Sequence, residues 1–145
     1  MGRIRLEPPP AFRFETSIPI RITDLNYGNH VGNDSLLSIL HEARVQYLAS
    51  FGYGELDFAG VGLIMSDVAI EFRAELFYGE HLVAKVQAAE FTNSSFEVYY
   101  SLEKVAGEQR TVVAIAKTRM VCYDYTLKKI AGLPNVARQA LGQVN

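Results

Sequence analysis

The polar side chains that could do chemistry are concentrated in one short segment, residues 23–33. It reads Thr-Asp-Leu-Asn-Tyr-Gly-Asn-His-Val-Gly-Asn, so a carboxylate, an amide and an imidazole follow closely at Asp24, Asn26 and His30. A carboxylate or an imidazole can act as a general base, whereas an amide can only donate and accept hydrogen bonds. Because Asp, Asn and Gly favour tight turns, the segment is predicted to be an irregular loop, and Asp24 and Asn26 could equally serve to shape it.

A single long helix is predicted directly after this loop, over residues 34–51. Apolar residues recur there at intervals of three and four, which is the period of one buried helix face. Asn33 or Asp34 is placed to cap its start, and Gly52 is placed to end it. The unpaired amides and the positive dipole end of the first turn could stabilise a negatively charged oxygen.

The rest of the chain is predicted to be mostly β-strand. Apolar and polar residues alternate with period two in a first segment before the helix and in four after it, at residues 12–22, 64–76, 82–91, 96–105 and 111–123. The last four are predicted to form an antiparallel meander, and a short helix is predicted at residues 135–143. A sheet that curls around one amphipathic helix buries the apolar side of both elements, so the predicted class is α+β.

Composition limits the classes of protein to consider. The chain has 145 residues, 49% of them hydrophobic, and a net charge of −2. This size predicts a single domain at residues 12–145 after a proline-rich leader at residues 1–11. The absence of a basic run argues against nucleic-acid binding. The single Cys122, interpreted as a core residue, and the lack of a long apolar stretch predict a cytoplasmic protein without disulfides or membrane spans.

The loop and the start of the helix together carry a family resemblance. The string from Asp24 to Asn33, then Ser-Leu-Leu at residues 35–37 and His-Glu-Ala-Arg at residues 41–44, resembles the 4-hydroxybenzoyl-CoA thioesterase-like family. Members typically show Asp-x-Asp, a Gly-His-Val-Asn-Asn-like run and a helix with Glu-Ala-Arg. The resemblance implies a hotdog fold, with an antiparallel sheet wrapped around one long helix. It also implies hydrolysis of an acyl-CoA or acyl-carrier-protein thioester, without a metal or redox cofactor.

The resemblance places the thioester carbonyl at the N-terminus of the helix, where backbone amides could stabilise the developing oxyanion. The family carboxylate comes from the second Asp of Asp-x-Asp, but this sequence has Asn26 there. Asp24 or another carboxylate such as Glu42 could instead orient water while Asn26 and His30 hold the carbonyl. The string Asp-Leu-x-x-x-x-His-Val-x-Asn also resembles plant acyl-carrier-protein thioesterases, which use an Asn-and-His loop. Alternatively His30 is the base, or the protein binds thioesters without hydrolysing them. The candidate catalytic residues are Asp24, Asn26, His30, Asn33 and Glu42.

A second set of residues is a candidate for substrate binding. Its members are Tyr27, Gly28, Val31, Ser66, Lys117 and Arg119. Ser66 is predicted on the apolar face of its strand, near the acyl group. Lys117 and Arg119 share a strand face and could meet the phosphates of coenzyme A, although a solvated face is the simpler interpretation. Likewise, Glu42 and Arg44 could form a solvated helix pair, or they could be polar groups at a subunit contact with Glu42 facing the site.

Two other functions fit the fold less well. Hotdog hydratases separate their Asp and His by four residues, whereas five residues separate Asp24 and His30. Hotdog regulators generally carry a DNA-binding module, and residues 1–11 contain no helix-turn-helix pattern. The resemblance further implies a homodimer, or a dimer of dimers, in which two sheets join and both subunits complete each site.

Overall fold

The computed structural model describes residues 3–143, which form the predicted α+β architecture. The elements in chain order are β1 (Phe14–Ile18), α1 (Asn33–Ala49), β2 (Gly62–Phe72), β3 (His81–Ala89), β4 (Ser95–Ala106), β5 (Gln109–Asp124), β6 (Lys129–Ile130) and α2 (Asn135–Gly142). Residues 1–2 of the predicted leader and residues 144–145 of the predicted domain lie outside the described residues. The division at residue 12 stays a prediction.

All strands belong to one antiparallel sheet with the order β1-β3-β4-β5-β2, and β6 pairs with the end of β5. The predicted meander is confirmed for β3, β4 and β5. It is wrong for β2, which pairs with β5 at the far edge of the sheet instead of with β3. Residues 73–80, called here the crossover segment, carry the chain between these positions. Alternation along a strand indicates which faces it has but not which strand lies beside it.

The strand β2 contains a β-bulge that changes the phase of its alternation. Its register with β5 shifts between Met65 and Asp67, so Ser66 is the extra residue. Ile64 therefore falls on the face away from α1, and the prediction of one continuous apolar face was wrong before the bulge. Ser66 is exposed, with its hydroxyl donating to Asp67 at 3.1 Å, so its predicted place on the apolar face was also wrong.

The boundaries of β1 and α1 follow from local backbone chemistry. β1 ends at Ile18, before Pro19, because proline has no amide to donate to a neighbouring strand. One turn of 3-10 helix at Ile22–Asp24 then leads into the loop, so the predicted strand 12–22 was too long. At the other end of α1, Gly52 adopts φ +82°, which is the left-handed conformation expected after a helix.

The core lies between α1 and one face of the sheet. The helix buries Leu36, Ile39, Leu40, Ala43, Tyr47 and Leu48 against alternate residues of β3, β4 and β5. Burial raises the pKa of Tyr47 to about 12, and its oxygen accepts the amide of Ala88 at 3.1 Å. Cys122 is fully buried, as predicted, and burial raises its pKa to about 11. None of the helices within residues 3–143 is long and apolar enough to cross a membrane.

Candidate active site

Backbone hydrogen bonds close the loop between β1 and α1 into a compact shape. The amide of Asn26 donates to the carbonyl of His30 at 2.9 Å, and that of Asn29 donates to Asn26 at 3.0 Å. The Asn26 side-chain oxygen accepts the Gly28 amide at 2.8 Å, which is the expected Asx turn. Asn29 has φ +66°, a conformation that Asn tolerates better than most residues. The loop is therefore a defined structural unit.

The crossover segment holds this loop against the sheet. The Val31 amide donates to the carbonyl of Leu76 at 2.8 Å, and His30 forms a β-bridge with Phe77. The His30 and Phe77 rings meet edge to face, with their centroids 6.3 Å apart. Tyr27, the loop's other aromatic residue, is fully exposed and does not cover the His30 ring.

The N-terminus of α1 has no side-chain cap. Gly32 occupies the cap position and Asn33 is the first helical residue, so the prediction that Asn33 or Asp34 caps the helix was wrong. The first helical bond runs from Leu36 to Gly32 at 3.0 Å. Within residues 3–143, the amides of Asn33, Asp34 and Ser35 have no hydrogen-bond acceptor. A glycine has no side chain to accept them, so three donors and the positive dipole end remain available.

Two polar side chains flank this helix end. A Cβ atom on Gly32 would lie 2.7 Å from Oδ1 of Asp34 and 3.5 Å from Cβ of Asn26. Asn26 is thus placed beside the unpaired amides. Asp34 brings a carboxylate to the same place, which the family resemblance did not indicate because it draws attention only to Asp-x-Asp.

The hydrogen bonding of His30 fixes which ring nitrogen is available. Its Nδ1 lies 3.2 Å from the carbonyl oxygen of Val31. A carbonyl can only accept, so Nδ1 carries the hydrogen in the neutral ring and Nε2 keeps its lone pair. The ring edge that bears Nε2 lies beside Gly28, where a Cβ would meet it at 3.4 Å. The Val31 contact thus leaves Nε2 of His30 without a partner in the loop, close to Asn26.

A largely apolar cavity of about 320 Å³ opens beside these groups. One side is lined by residues 30–33 and Leu36, from the loop and the first turn of α1. The other side is lined by residues 72–76, from β2 and the crossover segment, and by Val113 of β5. Glu75 is the one carboxylate in this lining. It falls within the strand predicted at residues 64–76, but β2 in fact ends at Phe72.

The two remaining catalytic candidates lie in another cleft. Asp24 is buried, and its carboxylate accepts the Arg21 amide at 2.8 Å and the Arg21 guanidinium at 3.3 Å. It lines a cleft of about 290 Å³ together with Glu42 and Gln46. The Glu42 carboxylate accepts a hydrogen bond from the side-chain amide of Gln46 at 2.7 Å. Asn26, His30 and Asn33 are thus brought together at the helix end, whereas Asp24 and Glu42 are not with them.

The basic candidates on β5 are already paired. Lys117 and Arg119 lie 3.3 and 3.2 Å from the carboxylate of Glu97, which is 3% exposed. A phosphate would therefore have to compete with Glu97 for them. Of the other binding candidates, Val31 lines the cavity and Gly28 adjoins the His30 ring, whereas Tyr27 and Ser66 are exposed away from it.

The middle of α1 carries a buried polar network. Arg44 is 6% exposed, so the prediction of a solvated helix pair was wrong for it. Its guanidinium donates to Glu55 at 3.2 Å and to the Tyr100 hydroxyl at 3.1 Å. Tyr100 is in turn 2.7 Å from the Thr118 hydroxyl, and burial raises its pKa. Arg44, Tyr100 and Thr118 thus each have a hydrogen-bond partner within this network.

Groups of acidic, histidine or cysteine side chains suited to a metal ion are absent from the part of the chain that the structure describes.

Comparison with known proteins identifies the family of this chain. Residues 20–141 match the model of the thioesterase-like superfamily. A 1,4-dihydroxy-2-naphthoyl-CoA hydrolase from Microcystis aeruginosa is 32% identical over 113 residues, 76% of this chain and 79% of the relative. A second protein of that name, from Rippkaea orientalis, is 30% identical over 72% of this chain and 78% of its own length.

The fold is shared with solved thioesterase structures. A 1,4-dihydroxy-2-naphthoyl-CoA thioesterase from Synechocystis superposes with a TM-score of 0.79 at 21% identity, covering 90% of this chain and 96% of the other. The expected hotdog fold is confirmed. This chain therefore belongs to the thioesterase-like superfamily, the hotdog-fold acyl-CoA thioester hydrolases that its loop motif predicts.

Proposed function

We propose that this protein hydrolyses an acyl-CoA thioester in the cavity beside the start of α1, with His30 as the general base. The observation that carries the proposal is that His30 and Asn33 both line the apolar cavity, where the first turn of α1 has unpaired amides and Nε2 of His30 is not used by the Val31 contact. Thioester hydrolysis needs a donor set for the oxyanion and a base for water, and the amides at the start of α1 and His30 are our candidates for these two roles.

The reaction then follows from the geometry. The acyl group occupies the apolar cavity, and its carbonyl oxygen is held by amides of residues 33–35. His30 Nε2 removes a proton from water as the water oxygen bonds to the carbonyl carbon, and the amides stabilise the resulting oxyanion. When the oxyanion collapses, the C–S bond breaks, the sulfur takes the proton from His30, and the carboxylic acid is released. Hydrolysis of this kind needs no metal or redox cofactor.

An aromatic acyl group is the substrate class that we favour. Two relatives of at least 30% identity are named as hydrolases of a dihydroxynaphthoyl thioester. The cavity of about 320 Å³ is at the small end of the ~300–1,000 Å³ range of ligand pockets, which suits a compact ring better than a long alkyl chain. The exposed ring of Phe72 at its edge offers a stacking surface.

A second copy of the chain is the proposed partner. β2 lies at the edge of the sheet, and its α1-side residues Met65, Val68 and Phe72 are 37–45% exposed. Leu37 and Val45 of α1 are also 43% and 45% exposed. An unpaired edge beside apolar side chains favours strand pairing with another sheet, which supports a homodimer or a dimer of dimers. Sedimentation velocity would detect a monomer, which would overturn this part.

The remaining parts of the proposal concern the cell and the chain. A single cysteine and a CoA thioester substrate favour the cytoplasm. Residues 12–145 are proposed as one catalytic domain, preceded by a leader at residues 1–11. Fluorescence of a tagged chain in the native host would test the first point, and limited proteolysis would test the second.

Release of free thiol tests the reaction directly. We expect the wild type to cleave aromatic acyl-CoA thioesters faster than long alkyl ones. Replacing His30 by Gln should lower kcat by on the order of a hundredfold to ten-thousandfold, which is the usual contribution of a general base. His81→Gln is the matched control, because His81 is exposed and lies outside the cavity lining. Full activity of His30→Gln would overturn the role of His30, and an inert wild type would overturn the proposed hydrolysis.

The assay has a low intrinsic background. Cys122 is fully buried, and its pKa is about 11, so the folded protein should react slowly with thiol reagents. Thiol release can therefore be assigned to the substrate. A rapid thiol signal from the protein alone would contradict the described burial of Cys122.

Binding without hydrolysis is a second candidate function, favoured by Asn26 at the position of the family carboxylate. Asn26 Oδ1 accepts the Gly28 amide, a contact that an Asp could also make. Asn26→Asp should therefore fold normally. If the wild type binds aromatic and long alkyl acyl-CoA thioesters without cleaving them, and Asn26→Asp cleaves them, the protein is a thioester-binding protein. If the wild type cleaves any of these thioesters, this second function is excluded.

A further inference from the structure

The residues that precede β1 lie against the end of β2. The amide of Leu6 donates to the Glu71 carboxylate at 3.1 Å. The Arg3 guanidinium donates to the carbonyl of Phe72 at 3.2 Å. These two contacts join positions more than 60 residues apart in sequence, so the leader has a defined place on the domain.

The leader and β2 together enclose a basic cleft. A cavity of about 320 Å³ is lined by Arg3, Ile4, Arg5, Glu71 and Arg73. Three guanidinium groups thus accompany one carboxylate, and the cleft has an excess of two positive charges. Arg73 donates to Glu71 at 2.6 Å, whereas Arg5 has no ion-pair partner among residues 3–143. An anion would find donors there that the protein does not already use.

The basic cleft adjoins the proposed thioester cavity. Arg73 lines both, and Phe72, whose carbonyl holds Arg3, lines the thioester cavity. An extended ligand could therefore reach from one to the other around the end of β2. An acyl-CoA has this form, since a flexible pantetheine arm separates its thioester from a diphosphate and a ribose phosphate.

We propose that the basic cleft of Arg3, Arg5 and Arg73 binds the phosphates of the CoA substrate, and that the leader is a substrate-binding element. The inference rests on the proposed acyl-CoA function. Guanidinium groups suit phosphate because they donate two parallel hydrogen bonds. The cleft replaces Lys117 and Arg119 in this role, because Glu97 already pairs with both side chains and Asp67 also lies beside Arg119.

A pair of substrates separates phosphate binding from hydrolysis. The same aromatic acyl group is supplied as its CoA thioester and as its pantetheine thioester, which lacks every phosphate. Arg3→Gln/Arg5→Gln should raise KM for the CoA thioester by about tenfold or more, leave kcat unchanged, and leave KM for the pantetheine thioester unchanged. An equal rise in KM for both thioesters would overturn the proposal, because it would mean that the leader supports the acyl cavity.

The control variant removes the same charge elsewhere. Lys128→Gln/Lys129→Gln lies where β6 meets β5, next to Gly62, at the end of β2 opposite to Phe72 and roughly 30 Å away. We expect no change in KM for either substrate. If this variant weakens the CoA thioester as much as the arginine variant does, general charge attraction explains the effect and the basic cleft is not the site.

Calorimetric binding of coenzyme A itself does not depend on catalysis. We expect the wild type to bind it, with affinity that falls as salt rises, and Arg3→Gln/Arg5→Gln to bind it at least about tenfold more weakly. Equal binding by both proteins would overturn the proposal even if hydrolysis is confirmed. Conversely, weakened binding together with an inert wild type would support the basic cleft while the proposed hydrolysis fails.

Discussion

The start and the middle of α1 treat polar groups in opposite ways. At the start, the amides of residues 33–35 have no acceptor, and Gly32 provides no cap. In the middle, Arg44, Tyr100 and Thr118 are buried and linked by hydrogen bonds. The start borders an open cavity where a ligand or water can reach the donors, whereas the polar groups of the middle already have partners within the protein. The unpaired amides of α1 thus lie where another molecule can pair with them.

This difference has an energetic side. A capping side chain would add about 1 kcal/mol to stability. The start of α1 lacks this contribution, because Gly32 is its cap residue. A buried group that loses its partner costs more, since it has given up water and gains nothing in return. Substitutions at the two places should therefore separate activity from stability.

The largest expected effect on stability is at Arg44. Arg44→Met leaves Tyr100 and Glu55 without their guanidinium partner, and we expect the free energy of unfolding to fall by about 3 kcal/mol. Urea denaturation measures this. Arg110→Met is the control, because Arg110 and Glu15 are both exposed and Glu103, its other partner, keeps Lys85 and Ser101, so a clearly smaller loss is expected. Equal losses of unfolding free energy in the two variants would contradict the greater contribution of the Arg44 network to stability.

A smaller effect, on catalysis, is expected at Gly32. The added Cβ in Gly32→Ala would meet Asp34 Oδ1 at 2.7 Å and crowd the unpaired amides. We expect kcat for thioester hydrolysis to fall about tenfold, while stability changes by at most about 1 kcal/mol because Asp34 is exposed and can turn away. Gly54→Ala should change neither quantity, since no atom lies within 4 Å of its Cβ. An unaffected kcat in Gly32→Ala would show that these amides do not contact the substrate.

The smallest effect is expected in the loop itself. Asn29→Ala should destabilise the protein by about 1 kcal/mol, because alanine at φ +66° is strained more than asparagine. Asn29→Gly should not destabilise it, since glycine adopts this conformation readily. Thermal unfolding of the two variants measures the difference. A loss of the same size in both would assign the effect to the side chain of Asn29 and not to its backbone.

Much of the fold was predictable because apolar periodicity reports directly on burial. This periodicity predicted α1 and the positions of the long strands. The turn-forming residues predicted the loop and the glycine that follows the helix, Gly52. The pairing of β2 with β5 was not predictable in this way, because a strand has the same alternation beside any neighbour. The bulge at Ser66 was equally hidden, since one inserted residue leaves composition unchanged.

The candidate site was predictable in part. Asn26, His30 and Asn33 are close in sequence and lie together at the helix end, as a tight loop requires. Glu42 does not join them, because it follows Asn33 by nine residues, or two and a half turns, and so lies on the opposite side of α1. The basic cleft could not be foreseen, since it depends on a leader that packs against a strand far along the chain.

The crossover segment has a consequence for how the protein comes to be made. The loop amide of Val31 is held by Leu76, and the strand that leads to Leu76 is placed by its pairing with β5. During synthesis, α1 and its loop leave the ribosome well before residues 109–124 do. We therefore expect a nascent chain to gain its helix early and its working cavity only near the end of translation, when the most distant pairings close.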